Sequence, residues 1–537
     1  MDFLAALINH SPALIIAVPL LGAFLTPLIG KINGKARNIF VILVVACTSF
    51  LIALLAYNVF TNGALSAGVV TNNIQTYIFG AKDIGAPAVR IAFEVDAMNA
   101  FMALIAAILP LAAVIYSWAF MKDETGQDKY YTLILLMTAG MLGMMLTGDM
   151  FNFFVFLEIT SIATAALIAF RIDQKYSVQA AFKYIVISSI GALFVLFAVA
   201  LFYGQYNALN MAVIGNNITY TMLDKIALVL LIASLALKTG IAPMHMWLPE
   251  AYGRAPSSVT VVIIGTTLGS LYAMFRMIFT VYGKQIGDLE KAMALQLPQL
   301  LGILLVALAI LTIIIGVFMA LKQADLKKMI GFAAVAEIGY MLLAVGSAIL
   351  TIEGVEKASI VMSGAGEMAL KGGIFHVLND ALDVGLLFLV AGAVYFAAKE
   401  TSLNKLGGLA RNMKYTTVFF LIGLFAVSGL PPLNGFASKL MIYESTYAIN
   451  PILSIAAILC SILLLATFVK VFHSVFLGPK IPKFSNVKEV PKSMLIGMAI
   501  IAIIIVFIGL FPNMVVEHIV EPATNALMNF NLYIGGI

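Results

Sequence analysis

The stretch FNFFVFLEITSIATAALIAF, residues 151–170, contains a single charged side chain, Glu158, in an otherwise apolar or weakly polar run. About 20 such residues are enough for a helix to cross the hydrocarbon core of a bilayer. A charge at that depth costs from about 2.5 to more than 10 kcal/mol, so buried ionisable groups usually face protein or water and take part in transport. Lys238 lies midway along a second apolar stretch, residues 225–248. These opposite charges indicate ion movement through a membrane. The alternative is that each charged side chain merely extends to the membrane interface and has no role in transport.

The whole chain has the composition of a membrane protein. Hydrophobic residues make up 62% of the 537 residues and charged residues 11%, whereas soluble domains carry about 25% charged residues. We predict an all-α polytopic membrane protein with one membrane domain, residues 1–537, and no soluble domain. Windows of about 20 apolar residues predict about fourteen spans, at residues 11–32, 38–60, 95–121, 129–148, 150–170, 178–203, 225–248, 257–282, 296–320, 328–350, 366–398, 415–446, 451–477 and 492–512.

The distribution of basic residues predicts how the chain is oriented. The formal net charge is +5, and most Lys and Arg residues in short loops fall on one side of the predicted membrane, as in the loops 31–37 and 322–328. The positive-inside rule places that side in the cytoplasm and both termini outside a cell membrane. No basic run is interleaved with aromatic residues, so we predict no nucleic-acid partner.

The two cysteines give no sign of a redox or metal centre. Cys47 and Cys460 both lie within predicted spans, and the chain has no CxxC motif or Cys/His cluster, so we predict no disulfide, metal or iron–sulfur site. Motifs for nucleotide binding or nucleophilic hydrolysis are absent from the sequence as well. We therefore expect no cofactor and no redox active site in this chain.

The seventh and twelfth predicted spans are interrupted by glycine and proline. The interruptions are KTGIAPMHMWLP at residues 238–249 and GLPPLNG at residues 429–435. Proline removes a backbone hydrogen bond inside a helix, and the freed groups are tolerated at membrane depth only beside protein or a water-filled cavity. The two interruptions lie five spans apart, and this odd offset predicts two inverted repeats, residues 129–282 and 296–477, with transport sites at the broken helices.

Lys238, Lys439 and Glu158 are the first candidates for transport. Lys238 is about thirteen residues into its span, or roughly 20 Å at 1.5 Å per residue, too deep to reach the interface. Lys439 follows the second interruption, with Glu444 five residues later and expected on the same broad side of the helix, and a lysine that holds loose carbonyls is the alternative there. Glu158 and a nearby lysine can exchange protons, with a static ion pair as the alternative. Asp149 lies at the boundary of the span that carries Glu158.

Further basic residues within the spans are less informative. Lys183, Arg276 and Lys470 lie close to span ends, from which a long side chain can reach the interface. Lys371 is ambiguous and leaves both interpretations open. Lys183 and Lys470 are therefore secondary candidates for transport, and Lys371 is a primary one.

An acidic stripe is predicted in the eleventh span. His376, Asp380 and Asp383 follow i, i+4, i+7 spacing and so share one face of a helix. Glu337 is expected to face them from the tenth span, which the offset of five matches to the span of Glu158. An imidazole with a pKa near neutrality is a natural proton carrier. A hydrogen-bonded structural histidine, or a weak site for a cation such as sodium, is the alternative.

Five motifs follow one another along the chain: GDMFNFFVFLE at residues 148–158, LKTGIAPMHMWLPEA at 237–251, DLKKMI at 325–330, EIGYM at 337–341 and GLPPLNGFASK at 429–439. They resemble the antiporter-like subunits of the complex I superfamily, which includes NADH:quinone oxidoreductase, Mrp-type sodium/proton antiporters and energy-converting membrane-bound hydrogenases. The resemblance covers roughly residues 95–480. It implies a fourteen-helix fold with inverted five-helix repeats and broken seventh and twelfth helices. It also implies that Glu158 pairs with Lys238 and that Lys439 exchanges protons with one side of the membrane.

Two departures from the family pattern affect the expected path. Thr266 and Thr267 occupy the eighth span where many members carry a central lysine or histidine, which puts the bridge between the halves in doubt. In the eleventh span, Asp380 and Val384 replace the second histidine and the lysine of the pattern. The second half is therefore unusually acidic, and its relay runs through the acids, favours sodium, or is partly disabled. The form of the first motif favours the Mrp and membrane-bound hydrogenase branch.

We predict an ion-translocating subunit, for protons with sodium as a second candidate ion, in a multisubunit membrane complex coupled to redox chemistry elsewhere. The expected partners are other membrane subunits, including further antiporter-like subunits, and hydrophilic redox subunits. This chain would be the translocase part of an oxidoreductase. The alternative is a subunit of an Mrp-type antiporter with no redox partner, and a third possibility is a structural anchor whose charges only pack helices.

Overall fold

The computed structural model describes residues 3–62, 74–78, 91–287, 297–356, 359–479 and 481–534. Most of these residues are helical, so backbone polar groups are satisfied within each segment, as lipid requires. The α-helices are α1 Phe3–Ile32, α2 Gly34–Asn62, α3 Ala97–Phe120, α4 Gln127–Leu146, α5 Met150–Ile168, α6 Lys175–Tyr206, α7 Met211–Asn217, α8 Met222–Thr239, α9 Trp247–Arg254, α10 Ser257–Arg276, α11 Gly283–Gly287, α12 Leu297–Lys322, α13 Leu326–Leu350, α14 Gly364–Ala398, α15 Lys414–Val427, α16 Asn434–Ile449, α17 Pro451–Val471, α18 Lys492–Leu510, α19 Pro512–Val515, α20 Glu521–Met528 and α21 Phe530–Ile534. Short 3₁₀ segments occur at Met244–Met246, Leu409–Arg411 and Pro482–Phe484, and π-helical segments at Met277–Val281, Phe472–Leu477 and Val516–Val520.

Within the described residues, 13 helical segments are long and apolar enough to cross a membrane. This confirms the prediction of an all-helical polytopic membrane protein. The predicted count of about fourteen differs at the twelfth span, residues 415–446. Two shorter helices, α15 and α16, occupy that stretch, because a glycine and two prolines between them stop regular helical hydrogen bonding.

Glu337, His376, Asp380 and Asp383 lie on helices buried deep in the bundle. α10, α13 and α14 are buried along most of their length, whereas α1, α6, α17 and α18 expose much apolar surface. Lipid chains are as apolar as a protein core, so outward-facing Leu, Ile and Phe side chains carry no penalty in a bilayer. A polar side chain on the central helices, by contrast, must find its partners inside the protein.

Close helix packing fixes the position of α13, which carries Glu337. A Cβ atom added to Gly316 of α12 would lie 2.6 Å from the backbone nitrogen of Ala336. A Cβ atom added to Gly339 of α13 would lie 2.6 Å from Cγ1 of Ile313. Small residues at such contacts let the backbones of membrane helices approach closely. The glycines therefore hold α12 and α13 together beside the buried carboxylate.

Two small antiparallel sheets lie outside the candidate spans, and the sequence reasoning did not predict them. β1 Gln75–Ile78 pairs with β2 Ala92–Val95, and β3 Ile352–Glu356 pairs with β4 Ser359–Met362. Each strand is only four or five residues long, too short to show a clear alternation of apolar residues. β2 leads directly into α3 and thereby positions two buried acids at one end of the bundle.

α8 ends within the apolar stretch that carries Lys238. Gly240 follows its last residue in a left-handed conformation (φ 82°), which favours glycine because a side chain there would be strained. The backbone nitrogens of Gly240 and Ile241 bond back to the carbonyl of Ala236. The indole nitrogen of Trp247 donates to the Leu237 carbonyl at 2.9 Å, and α9 begins at that tryptophan. The end of α8 is thus closed by hydrogen bonds made locally.

α15 ends in a similar way before the second lysine. Gly429 has φ 69°, Pro431 and Pro432 follow, and α16 begins at Asn434. The carbonyl of Val427, at the end of α15, loses its helical partner here. The side chain of Lys439 supplies the missing donor.

Candidate functional site

Three ionisable side chains from three helices meet in the interior. Lys439 of α16 donates from Nζ to Oε1 of Glu337 on α13 at 2.8 Å, and His376 of α14 lies 2.7 Å from Oε2 of the same carboxylate through Nε2. Each of the three side chains is at most 2% exposed. Both oxygens of Glu337 are therefore paired, as a buried carboxylate requires. A proton can move between these groups without any large displacement of heavy atoms.

Amide and hydroxyl groups extend this arrangement along α14. His376 Nδ1 lies 3.0 Å from the hydroxyl of Ser438, which also accepts from Asn379 at 2.8 Å. Asn434 donates to the side chain of Asn379 at 3.1 Å and to Oδ1 of Asp383 at 3.0 Å. We call the connected set Glu337, His376, Asn379, Asp383, Asn434, Ser438 and Lys439 the Glu337 network.

Asp380 lies on the same helix but makes fewer contacts. It is buried, and its Oδ1 atom has no hydrogen-bond partner among the described residues. The predicted stripe of His376, Asp380 and Asp383 is thus buried throughout, yet only the first and last members join the Glu337 network. A buried carboxylate with an unpaired oxygen is costly when ionised. Asp380 is therefore suited to hold a proton or to face water molecules.

Lys439 also has the structural role that the sequence left open as an alternative. Its Nζ donates to the Val427 carbonyl at 2.7 Å, and a positive charge at a helix C-terminus is favourable. The ammonium lies 4.6 Å from the ring centre of Tyr340, within the range of a cation–π contact. A Cβ atom on Gly429 would come within 3.0 Å of the lysine side chain. One lysine thus closes α15 and neutralises Glu337.

Lys238 has a different environment, which we call the Lys238 site. The ammonium is buried and donates to the hydroxyls of Ser161 on α5 at 2.6 Å and Ser188 on α6 at 2.5 Å. The two hydroxyls are themselves 3.0 Å apart. Among the described residues no carboxylate forms an ion pair with Lys238. Its proton is held by neutral groups, which do not fix its charge as a carboxylate would.

The expected direct pair between Glu158 and Lys238 is not present. Glu158 lies on α5 one turn before Ser161, is half-buried, and has an Oε1 atom without a hydrogen-bond partner in the described chain. The lysine reaches the serine hydroxyls instead. Glu158 still acts on the lysine electrostatically, so the two remain coupled through space. Its half-buried position leaves it open to a charge outside this chain.

A small polar cavity separates Lys238 from α10. Its walls include Thr266, Thr267 and Ser270 of α10 and the serine partner Ser161, and its volume of about 10 Å³ is close to the room that one water molecule needs. The hydroxyl of Tyr252 on α9 donates to Thr267 at 2.9 Å. Tyr252 in turn lies within electrostatic reach of Asp380. Hydroxyl groups thus occupy the region between the Lys238 site and the Glu337 network.

A further group of acids lies at one end of the bundle, outside the candidate spans. Glu94 of β2 is fully buried, accepts from Asn210 at 2.7 Å, and has an unpaired Oε2 atom within the described residues. Burial raises the pKa of Glu94 to about 8, against the opposing effects of its hydrogen bond to Asn210, the nearby Tyr533 hydroxyl and the charge of Arg276. Asp149 caps α5 by accepting from the Asn152 backbone at 2.6 Å, and burial raises its pKa to about 6.

The expectation that Arg276 reaches the interface is wrong. Its guanidinium is 2% exposed and forms two hydrogen bonds of 2.7 Å to Asp96, the residue that caps α3. Asn99 and Tyr272 provide further partners at 2.9 and 3.1 Å. The sequence could not show this because the partner lies 180 positions away. This pair joins α10 to α3 and is structural.

The remaining predicted candidates lie away from both sites. Lys371 pairs with Glu521 of α20 at 2.8 Å in a partly exposed position. Glu444 is exposed, because five residues turn a helix by about 140° and place it on the other side from Lys439. Lys183 and Lys470 are exposed, and Lys470 donates to the Leu321 carbonyl at 3.4 Å. The structure therefore brings Glu337, His376, Asp383 and Lys439 together and leaves these four residues apart.

No group of three or more His, Cys, Asp or Glu side chains in the described ranges is placed to hold a metal ion. Sequence reasoning missed the polar residues that connect the charged ones: Ser161 and Ser188 at Lys238, and Asn379, Asn434 and Ser438 in the Glu337 network. Each is a polar residue within an apolar stretch. A search for such residues one turn from a buried charge would have found Ser161 and Asn379.

Comparison with known proteins places the chain in a family. Residues 147–465 match the family described as NADH:quinone oxidoreductase/Mrp antiporter, TM, and residues 83–131 match the complex I chain 5 N-terminus family. The chain is 30% identical, over 96% of its length and 98% of the relative, to NADH-quinone oxidoreductase subunit N of Desulforudis audaxviator. It is 28% identical, over 98% and 99% of the two chains, to a Na(+)/H(+) antiporter subunit of Bacillus subtilis.

A solved structure agrees with these sequence relatives. The chain resembles a subunit of an archaeal membrane-bound sulfane sulfur reductase, a respiratory membrane complex, with a TM-score of 0.81, 26% identity and coverage of 98% and 99% of the two chains. The resemblance inferred from the five motifs is thereby confirmed. The chain belongs to the NADH:quinone oxidoreductase/Mrp antiporter family and is an antiporter-like membrane subunit of the kind found in these multisubunit complexes.

Proposed function

We propose that the chain translocates protons, with sodium as a second candidate ion, in a multisubunit membrane complex driven by redox chemistry in partner subunits. The observation that carries the proposal is the pair of buried basic groups, Lys238 and Lys439, at two helix ends inside the membrane. Their partners differ: neutral hydroxyls surround Lys238, and a carboxylate holds Lys439. Isolated charges at this depth are expensive and are retained mainly where ions move.

In the first step, Lys238 gains or loses a proton in response to a charge that lies beyond its direct partners, Ser161 and Ser188. The serine hydroxyls accept from the ammonium and can equally donate to a neutral amine, since a hydroxyl carries both a donor and lone pairs. Glu158 is half-buried and coupled to Lys238 through space. A charge that approaches Glu158 from a neighbouring subunit would alter how strongly Glu158 stabilises the ammonium.

The next step crosses from the Lys238 site to Asp380. Where many family members have a titratable residue on the eighth helix, this chain offers Thr267 and Tyr252, joined by a 2.9 Å hydrogen bond, beside a polar cavity. A row of hydroxyls and water can pass a proton because each member donates and accepts. We propose that these hydroxyls replace the missing basic residue.

The last step uses the Glu337 network as an exchange site. A proton that arrives at Asp380 or His376 reduces the negative charge beside Lys439, which weakens the hold on the lysine proton. Lys439 then releases a proton towards one side of the membrane. Its bond to the Val427 carbonyl keeps the amine in place during the change. Sodium is the second candidate ion for this step.

We propose a symmetric organisation for the two halves. Residues 129–282 and 296–477 would be inverted repeats within one membrane domain, with the seventh helix broken after Lys238 and the twelfth broken before Lys439. In support, each lysine lies beside a helix end closed by a glycine with positive φ, Gly240 and Gly429. Both chain termini would lie outside the cell membrane, in line with the positive-inside rule.

A subunit of an Mrp-type antiporter with no redox partner is the second candidate. The 28% identity to a sodium/proton antiporter subunit over nearly the whole chain favours it. The buried geometry supports both candidates equally, because the path within this chain is the same. The source of energy distinguishes them.

Ion uptake by inverted vesicles that contain the intact complex tests the proposal. We expect proton uptake that requires an electron donor, and a large loss of uptake in Asp383→Asn. The matched control is Asp173→Asn, which removes an exposed carboxylate. Sodium/proton exchange that persists without any electron donor would favour the antiporter instead. Full uptake in Asp383→Asn would contradict the path through the Glu337 network.

A further inference from the structure

A large apolar groove runs between α8 and α12 on the side of α8 away from the Lys238 site. Its volume is about 770 Å³, within the range of roughly 300–1,000 Å³ found for sites that hold small molecules. Its walls are almost entirely aliphatic: Leu228, Val229, Ile232, Ala233 and Ala236 from α8, and Leu297, Leu300, Leu301, Leu304 and Leu308 from α12. Such walls suit hydrocarbon chains.

One end of the groove is polar and cationic. Lys225 and Lys284 line it together with Tyr220 and Asn216. Lys284 uses two of its donors on Asn216, at 2.9 and 3.1 Å, which leaves a third N–H. Lys225 lies 4.9 Å from the ring centre of Tyr220. Neither lysine pairs with a carboxylate in the described part of the chain, and both ammonium groups line this end of the groove.

The depth of the groove corresponds to one leaflet. From Lys225 to Ala236 the helix rises about 16 Å at 1.5 Å per residue, and the wall from Leu297 to Leu308 has the same length. Half of a hydrocarbon core of about 30 Å is about 15 Å. A ligand with its anionic group at the lysines would therefore extend its apolar part to the middle of the bilayer.

The deep end of the groove meets the end of α8. Ala236 and Met244 line it there, and they flank the non-helical residues after Lys238. The backbone nitrogen of Ala242 is held by Thr312 of α12 at 3.1 Å. An apolar chain in the groove would lie against this segment, and the Thr312 bond keeps the Ala242 nitrogen paired there, as a backbone group beside lipid requires.

We propose that this groove is a specific site for an anionic phospholipid, whose phosphate binds Lys225 and Lys284 and whose acyl chains lie along α8 and α12. The cationic end of the groove matches the phosphate of such a lipid, and the aliphatic walls match its acyl chains. The depth of the groove matches the length of those chains in one leaflet. Zwitterionic lipids fit the same walls but lack the net charge. Basic residues favour anionic lipids by roughly fivefold each near a membrane surface.

Native mass spectrometry of the purified intact complex tests this site, with added phosphatidylglycerol and phosphatidylcholine as probes. Wild type should retain phosphatidylglycerol preferentially, and K225Q/K284Q should lose that preference. K175Q is the control, because Lys175 is an exposed lysine on α6. Equal retention of the two lipids by wild type, or an unchanged preference in K225Q/K284Q, would overturn the proposal.

A second variant keeps the test decisive if K225Q/K284Q fails to fold. Ala233→Trp fills the groove below the lysines and should displace the acyl chains while the cationic end stays intact. Loss of phosphatidylglycerol in this variant, with the complex assembled, supports the site. If Leu304→Cys, with both lysines intact, is instead joined to another subunit by a bifunctional maleimide reagent, a protein helix occupies the groove and the lipid assignment is wrong.

Discussion

Replacing Lys439 with methionine should destabilise the folded chain far more than replacing Lys371. The Lys439 ammonium makes a 2.8 Å bond to Glu337 and a 2.7 Å bond to the Val427 carbonyl, and it is 2% exposed. Removing one partner of a buried ion pair costs about 3–5 kcal/mol, because the other charge stays buried. The orphaned carbonyl adds about 1–3 kcal/mol.

Lys371 provides a matched control on a neighbouring helix. It pairs with Glu521 at the same 2.8 Å distance, but the two side chains are 21% and 41% exposed. Exposed ion pairs contribute only about 0–1 kcal/mol. Lys371→Met should therefore change the free energy of unfolding little, although the distance between the charges is the same.

The assay is an SDS titration of the purified complex in mixed micelles, with a fluorescent label on this chain to report its unfolding. A third variant, Lys439→Met with Glu337→Gln, removes both charges and should recover part of the loss, since no buried carboxylate is left unpaired. The reasoning is refuted if the Lys439 and Lys371 variants lose equal stability. It is also refuted if the double variant is as unstable as the single one.

Three more predictions concern other parts of the molecule. Because burial raises the pKa of Glu94 to about 8 from the ordinary 4.5, the folded chain holds a proton that the unfolded chain releases, so stability should fall as pH rises from about 4.5 to about 8. Thermal unfolding of Glu94→Gln across that range should show a flatter profile, and an unchanged profile would contradict the assignment. Arg276→Met should cost about 3–5 kcal/mol in the same SDS titration, because the Asp96 carboxylate would stay buried without its partner, and a neutral effect would show that the pair is not structural. Tyr252→Phe should slow proton uptake severalfold, whereas Tyr130→Phe, which breaks a similar buried hydroxyl pair at 2.7 Å, should not; equal rates would argue against the hydroxyl bridge.

The sequence predicts the membrane class well because the signal is local. Apolar runs of about 20 residues need no tertiary information, and 13 of the helical segments in the described chain have the length and composition expected of spans. The count differs at the twelfth span, because the stretch predicted to be interrupted at residues 429–435 contains two shorter helices, α15 and α16. Hydropathy averages over Gly429, Pro431 and Pro432, whereas helical hydrogen bonding does not continue through them. The short strands were missed because they form by pairing with another strand and are too short for a recognisable alternation of apolar residues.

The sequence predicts which charged residues are buried, but it does not predict their hydrogen-bond partners. Lys238 is identified by its depth in a long apolar stretch, and Lys439 is identified by its place after the interruption at residues 429–435. The partners of Lys238, Ser161 and Ser188, lie 77 and 50 positions away, and no periodicity links residues so distant. The partner of Arg276 could not be predicted for the same reason. The position of Arg276 near a span end gives no information about Asp96, the buried acid at the start of α3.

If the charge of Lys238 carries ion translocation, Lys238→Met in the intact complex should lose transport while the complex still assembles. The control is Lys322→Met, which removes an exposed lysine at the end of α12. Proton uptake by inverted vesicles should be abolished in Lys238→Met and normal in Lys322→Met, with both complexes assembled to the wild-type level. Wild-type uptake in an assembled Lys238→Met complex would contradict the account.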